Sequence, residues 1–231
     1  AANSSTLELT GVTAANQGSY DVVVSNASNS VVSAAATLVV TQGALVDSQP
    51  VPRIILSGQP LNLTVGVLGT PAPTVAWTRN NQALSATGAT LNIPAATLAD
   101  AGNYRATVTN GTGSQPTELT PVVVVDGAAR KFVVKSGANL TLSVVSSQPQ
   151  GTSLTYQWKN KDGNNVPAGL RFANVTTSKL QIRGMSINDV GAYRCLVTGP
   201  MGSVLSGEFD VIVASTPEVT DFTLPDAFVA Q

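Results

Sequence analysis

The chain has 231 residues, of which 43% are hydrophobic and only 11% are charged, and its formal net charge is -1. The hydrophobic content predicts an ordered, core-forming protein of one to three domains. We expect no nucleic-acid partner and no membrane insertion, because basic residues are few and no apolar run approaches the roughly 20 residues of a membrane helix.

The expected secondary structure is all-β. Valine, threonine, leucine and isoleucine fall in short alternating runs separated by glycine, proline, asparagine and serine, which is the pattern of strands and turns. Residues 61–65, 89–93 and 140–144 alternate cleanly, and no segment keeps a helical period for ten residues.

The first 41 residues predict three strands, at Thr6 to Val12, Ser19 to Ser25 and Val31 to Val40. So few strands are marginally stable alone and leave apolar side chains without an opposing sheet. The unopposed side chains are Leu7, Leu9, Val22 and Val24.

A five-residue signature, Asp/Asn-x-Gly-x-Tyr, occurs three times, at 16–20, 100–104 and 189–193. The tyrosines recur at intervals of 84 and 89 residues. Such a long period favours tandem sandwich domains over the short units of a solenoid. We number the repeats one to three after the copy that each contains.

Repeats two and three share further motifs. Residues 57–65 read SGQPLNLTV and residues 136–142 read SGANLTL, and each stretch is followed by a tryptophan, a Leu-x-Ile strand and the tyrosine signature. This order resembles the intermediate-type immunoglobulin domain over most of residues 43–213. The chain looks like the tandem immunoglobulin-like domains of a bacterial-type extracellular repeat protein.

The resemblance implies a two-sheet Greek-key β-sandwich for each repeat, without disulfides. It places the inter-sheet cysteine pair of the family at Val65 and Ala106 in repeat two, and at Val144 and Cys195 in repeat three. No cysteine pair survives at either place, since Cys195 is the single cysteine. We expect Cys195 to be a buried free thiol against Val144.

The same resemblance assigns structural roles to single residues. Trp77 and Trp158 would fill the cores, and Tyr20, Tyr104 and Tyr193 would form tyrosine corners whose hydroxyls bond to backbone. Arg171 would pair with Asp189, whereas Asp100 would bond backbone amides.

Domain boundaries follow from the repeats. We expect the C-terminal half of an immunoglobulin-like domain, with strands E, F and G, at 1–41, and complete domains at 42–125 and 126–214. Residues 215–231 would be a linker and the first strand of a following repeat, or an exchanged strand.

Enzymatic sites find little support. The sequence has no histidine, which removes Ser-His-Asp, Cys-His and histidine-based zinc sites. The carboxylates are scattered singly, whereas a glycosidase needs two of them about 5 to 9 Å apart. Calcium candidates are Asp126, Asp162 with Gly163, and Asp210. We expect a non-enzyme without catalytic, metal or cofactor-binding residues and without a cofactor.

Two surface features carry alternatives. The polar segment 159–165 predicts a hairpin turn because it contains Asp-Gly, with a recognition loop as the alternative. Six Asn-x-Ser/Thr sequons could carry glycans in a eukaryotic secreted protein. They begin at Asn3, Asn26, Asn62, Asn110, Asn139 and Asn174.

The leading functional hypothesis is a non-enzymatic, extracellular, structural or adhesive array, such as a stalk, filament or cell-surface segment. Its partners would be neighbouring immunoglobulin-like domains or identical subunits, with any surface ligand unidentified. One alternative is a filament subunit whose incomplete N-terminal domain is complemented by a partner's strand. Another is an accessory binding module of a secreted carbohydrate-active enzyme. A cytoplasmic muscle-type array also lacks disulfides, but the low Lys and Glu content argues against it.

Overall fold

The structure is a computed structural model, and it describes residues 4–214. In this range the chain is all-β, apart from three single-turn 3₁₀ helices that each end at the first residue of a tyrosine signature. These helices are η1 (Ala14–Asn16), η2 (Leu98–Asp100) and η3 (Ile187–Asp189).

Repeat one contributes four strands of three residues. They are β1 (Gly18–Tyr20), β2 (Val23–Ser25), β3 (Ser30–Val32) and β4 (Ala36–Leu38). β1 pairs with β4 and β2 pairs with β3, both antiparallel.

Repeat two contributes ten strands. They are β5 (Gln42–Ser48), β6 (Arg53–Leu56), β7 (Leu61–Thr64), β8 (Gly66–Thr70), β9 (Thr74–Arg79), β10 (Gln82–Thr87), β11 (Thr90–Ile93), β12 (Gly102–Asn110), β13 (Gly113–Pro116) and β14 (Thr120–Val125).

Repeat three contributes nine strands. They are β15 (Arg130–Lys135), β16 (Leu140–Ser143), β17 (Ser146–Ser147), β18 (Thr155–Lys159), β19 (Phe172–Ala173), β20 (Lys179–Ile182), β21 (Gly191–Gly199), β22 (Gly202–Leu205) and β23 (Phe209–Ala214).

The fold divides into two compact units that cut across repeat two. The first unit comprises the chain up to Val51 together with Asn62–Asn92 and Tyr104–Thr120. The second comprises Pro52–Leu61, Ile93–Asn103 and the chain from Pro121 onward. The second unit therefore contains one end of repeat two together with the described residues of repeat three.

In the first unit, β9 pairs with β10 and β12, β12 also pairs with β13, and β5 pairs with β8. β7 pairs with β11. Alternation along β7, β9, β11 and β12 buries one face of each, which is the packing expected of a sandwich. The buried side chains include Leu63, Val65, Val75, Trp77, Leu91, Tyr104, Ala106 and Val108.

In the second unit, one sheet has the order β15-β23-β21-β18, and another has the order β16-β20-β19. β15 pairs with β23 in parallel, whereas the other pairs in these two sheets are antiparallel. One buried cluster takes residues from both sheets and from the end of β14, including Val125, Leu142, Trp158, Leu180 and Cys195. The core of repeat three thus lies between its two sheets.

The predicted strand over Thr6 to Val12 is wrong, since the structure has no strand there. A strand exists only where its backbone hydrogen-bonds to a neighbour, and no described strand pairs with this segment. The predicted strand at Ser19 to Ser25 is broken into β1 and β2, and that at Val31 to Val40 into β3 and β4. Val24 is 67% exposed and Val31 is 66% exposed, so alternation here does not produce a packed face.

Candidate functional site

The tyrosine signature builds the same corner in each repeat. Thr13, Thr97 and Ser186 precede the three 3₁₀ turns, and the backbone N–H of each donates to the side chain of Asn16, Asp100 or Asp189 at 2.7 to 2.8 Å. The glycine that follows has a φ of +158° in Gly18 and Gly102 and +140° in Gly191. Side chains disfavour this backbone conformation, which explains the glycine of the signature.

The tyrosine hydroxyl closes the corner. Tyr20 donates to the backbone oxygen of Asn16 at 2.6 Å, and Tyr193 donates to that of Asp189 at 3.1 Å. Tyr104 is fully buried at the equivalent position. Burial, followed by the nearby Asp189 carboxylate, raises the pKa of Tyr193 to about 12.

The Asp189 carboxylate is held by groups from two segments of repeat three. Its Oδ2 accepts from Ser186 N and Oγ at 2.7 and 2.8 Å and from Arg171 Nη2 at 2.5 Å. Arg171 also donates to the backbone oxygen of Gly184 at 3.1 Å. The pair therefore joins the segment before β19 to η3. Asp100 accepts from Thr97 N and Oγ1, both at 2.8 Å.

Each sandwich has a tryptophan opposite the second cysteine position. Trp158 pairs with Cys195 across β18 and β21, and Trp77 pairs with Ala106 across β9 and β12. Both indoles are buried, and they donate to the backbone oxygens of Thr177 and Gly88, each at 2.9 Å. A buried indole N–H therefore keeps a hydrogen-bond acceptor in both cores.

Cys195 is a free thiol that is fully buried in the same cluster as Val144. Its Sγ lies 3.8 Å from the backbone oxygen of Leu196. Burial raises the pKa of Cys195 to about 12, and a hydrogen bond from the backbone of Gln157 opposes this only in part. A neutral thiol in such a site behaves as a small apolar side chain.

The segment 159–165 is a hairpin turn, which confirms the prediction from its Asp-Gly pair. Asn160 N donates to the Asn164 oxygen and Gly163 N donates to the Asn160 oxygen, both at 2.9 Å. A cleft of about 230 Å³ beside this turn is lined partly by Asp162, Phe172 and Tyr193.

Metal-binding candidates do not converge. No group of three or more histidine, cysteine or acidic side chains occurs among the described residues. Asp126 instead forms an ion pair with Arg130. No helix in residues 4–214 is long and apolar enough to cross a membrane.

The joint after repeat two is a second candidate site, and it lies within the second unit. β14 ends this repeat and pairs antiparallel with β17 of repeat three, through Val124 with Ser147 and Val125 with Ser146. β14 also pairs in parallel with β6. Backbone hydrogen bonds thus tie the last strand of repeat two to repeat three.

The connection that leaves β14 is held on both sides. Asp126 N donates to the Val145 oxygen at 2.8 Å, and the Asp126 oxygen accepts from Gly207 N at 3.1 Å. The Asp126 carboxylate accepts from Ala128 N at 3.0 Å and from the Arg130 guanidinium. Both backbone groups and the side chain of Asp126 are therefore engaged.

Apolar packing completes the joint. Val123 and Val125 are fully buried in the core cluster of repeat three, and Ile54 and Leu56 of β6 pack against that cluster. β22 lies against β6, and β17 lies near η2. The end of repeat two and the start of repeat three thus share one core.

Sequence reasoning missed most of this joint. It predicted only a domain boundary between residues 125 and 126, and it predicted no strand at 146–147. β17 has two polar residues and therefore no hydrophobic period that could identify it. Its partner β14 is visible in sequence as a run of four valines, Val122 to Val125.

Comparison with known proteins supports the fold. Residues 45–124 match the Immunoglobulin I-set domain model. Among curated protein sequences, none matches the chain.

Many solved structures resemble the chain. The I-band fragment I67-I69 from titin is 18% identical, with a TM-score of 0.42, and the match covers 88% of this chain and 76% of that one. Sidekick-1 immunoglobulin domains 1-5 are 23% identical, with a TM-score of 0.37, and the match covers 76% and 39%. The N-terminal Ig1-2 module of the Drosophila receptor protein tyrosine phosphatase DLAR is 15% identical, with a TM-score of 0.35, and the match covers 75% and 100%.

Proposed function

We propose that the chain is part of a non-enzymatic array of immunoglobulin-like repeats that serves as an extracellular spacer, stalk or adhesive surface. The joint between repeats two and three is the observation that carries this proposal. In an array that holds a shape or transmits load, the connections between repeats must resist rotation as well as extension.

The joint is suited to such a role. Strand pairing between β14 and β17 runs across it, and Asp126 is bonded on both sides of the linker. A flexible tether would instead need a linker free of such bonds, as Gly/Ser-rich linkers are. We therefore assign the joint a mechanical role: it couples one repeat to the next.

The extracellular setting is proposed from the sequence. Its surface depends on Ser, Thr, Asn and Gln, because only 11% of the residues are charged. Low Lys and Glu content argues against a cytoplasmic muscle-type array. The absence of histidine supports a non-enzymatic role, since the commonest acid-base and nucleophilic sites require it.

The coupling can be tested with spin labels at Ala95 and Thr141, two exposed positions of the second unit that flank the joint. We expect one narrow distance distribution, which Ser147→Pro broadens because Ser147 lies opposite Val124 in the hydrogen-bonding pair of the ladder and proline cannot donate. Arg183→Gln is the control, since Arg183 is exposed and lies in repeat three outside β17. A broad distribution in the parent chain, unchanged by Ser147→Pro, would remove the mechanical role.

A second candidate function is assembly by strand complementation. In repeat one, Val22, Val23 and Val24 are 46 to 67% exposed, and a groove of about 500 Å³ is lined partly by Leu7 and Tyr20. An exposed apolar face of this kind can accept an added strand. The occupant would be the exchanged strand expected within residues 215–231 of another copy.

Sedimentation of the full chain over a hundredfold range of concentration tests this second function. Complementation predicts a concentration-dependent oligomer that Val23→Lys weakens, because Val23 lines the groove. Leu170→Lys in repeat three is the control, since Leu170 is 91% exposed and lies outside the groove. A monomer at every concentration would exclude assembly by this route.

A further inference from the structure

Repeat three exposes apolar side chains at Val133, on β15, and at Ile187, on η3. Val133 is 65% exposed and Ile187 is 72% exposed. Repeat two has equivalent positions, and they lie at its joint with repeat three. The joint therefore shows what can cover such positions.

The equivalence follows from sequence and register. Residues 54–58 read IILSG and residues 133–137 read VVKSG, so Val133 corresponds to Ile54. β6 pairs in parallel with β14, as β15 does with β23, with Ile54 opposite Val123 and Val133 opposite Ile212.

The second position follows from the tyrosine signature. Leu98 and Ile187 both lie two residues before the aspartate of the signature, as the first residues of η2 and η3. Repeats two and three therefore each place one large aliphatic side chain on the 3₁₀ turn and one on the strand that pairs in parallel with the last strand of the repeat.

The environments of the two copies differ. In repeat two, Ile54 packs against the core of repeat three, and a Cβ added at Gly202 would lie 3.9 Å from Ile54 Cγ2. β17 lies near η2, where Leu98 is half-buried.

The partner strand shows the same contrast. Val123 is fully buried, whereas its counterpart Ile212 is half-buried. We call the surface formed by Val133, Ile187 and Ile212 the distal surface. Its counterpart in repeat two, formed by Ile54, Leu98 and Val123, lies at the joint with repeat three.

We propose that the distal surface docks a further immunoglobulin-like repeat of the same kind, which presents a hairpin like β21–β22 and a short strand like β17. This rests on the proposed array function and names the partner at one of its joints. Lys135 stands where repeat two has Leu56, so the incoming hairpin meets an aliphatic stem with a charged end as well as apolar side chains.

The test compares the full 231-residue chain with a chain in which residues 1–214 are followed directly by a second copy of residues 126–214. The added copy then enters through the linker that already joins repeats two and three. Segmental isotope labelling of residues 1–214 restricts the NMR signals to the original part. We expect amide exchange in β15 and η3 to slow by about tenfold or more when the copy is added.

Matched variants separate docking from general stabilisation. The double variant Val133→Thr/Ile187→Ser should lose the slowing, whereas Leu170→Ser should keep it. Leu170 is 91% exposed and does not belong to the distal surface. The proposal is overturned if exchange in β15 and η3 does not slow although the added copy is folded, or if the double variant keeps the slowing. Neither result bears on the joint between repeats two and three, so the spin-label experiment tests the array function independently.

Discussion

Arg171 and Asp189 form an ion pair in which the two partners are unequally exposed. The Arg171 Nη2 and Asp189 Oδ2 atoms are 2.5 Å apart, and the side chains are 48% and 5% exposed. Ser186 supplies two further hydrogen bonds to the same carboxylate oxygen. The buried Asp189 carboxylate therefore relies on protein hydrogen-bond donors, whereas water can solvate much of the Arg171 side chain.

Asp189→Ala should destabilise repeat three by about 3 kcal/mol, because it leaves the part-buried Ser186 N–H without its acceptor and removes the carboxylate partner of Arg171. Arg171→Gln should cost about 1 kcal/mol, since half of the arginine side chain is solvated and Ser186 still bonds the carboxylate. Urea unfolding followed by tryptophan fluorescence measures both. Asp162→Ala, at an exposed turn position, is the control, and an equal cost for Arg171→Gln and Asp189→Ala would contradict the unequal roles.

Tyr193→Phe removes the hydroxyl that donates to the Asp189 backbone oxygen in a buried corner. The expected loss of stability is about 1 to 2 kcal/mol, because an unsatisfied buried acceptor adds to the lost bond. The same change at Tyr20, where the corner is only partly buried, should cost less, because water can replace the bond. Hydrogen exchange of the two corners distinguishes the variants, and a larger effect at Tyr20 would refute this account.

The corners could be predicted from sequence because their bonds are local. The side chains of Asn16, Asp100 and Asp189 bond to groups three residues away, and Tyr193 bonds to an oxygen four residues away. A five-residue signature therefore contains nearly all of the necessary information. The positions of Trp77 and Trp158 followed likewise from a family pattern with fixed spacing.

The joint could not be predicted in this way. Pairing of Val125 with Ser146 depends on where the whole of repeat three sits against β14, and no local pattern specifies it. The failed strand at residues 6–12 has the same origin, because an alternating sequence specifies a strand only when a neighbouring strand is available.

Cys195 should resist thiol reagents in the folded protein. Its pKa is raised to about 12 by burial, so the thiolate is a minute fraction near pH 8 and the sulfur is also inaccessible. We expect labelling at pH 8 to be at least about a thousandfold slower than in guanidinium chloride. Labelling of the folded chain at the rate of the denatured chain would show that the thiol is not buried.

Alkaline pH should destabilise the second unit. The folded pKa values of Cys195 and Tyr193 are both about 12, above the ordinary values of 9.0 and 10.0. The stability that their neutral forms contribute is therefore complete below about pH 9, and it is lost as the pH rises from 9 to 12. Urea midpoints measured between pH 7 and 11 should fall in this window, and Tyr193→Phe should reduce the fall. A midpoint that stays constant to pH 11 would contradict the prediction.

Gly207→Ala should disrupt the joint. A Cβ at Gly207 would lie 2.2 Å from the backbone oxygen of Ala128, and backbone on both sides of this contact is held by hydrogen bonds to Asp126. The linker must therefore shift, which overpacking data place at about 1 to 3 kcal/mol. Gly169→Ala is the matched control, since nothing lies within 4 Å of its Cβ position. In the spin-label experiment, Gly207→Ala should broaden the distance distribution and Gly169→Ala should leave it narrow, because only the first change moves the linker that fixes repeat three against β14.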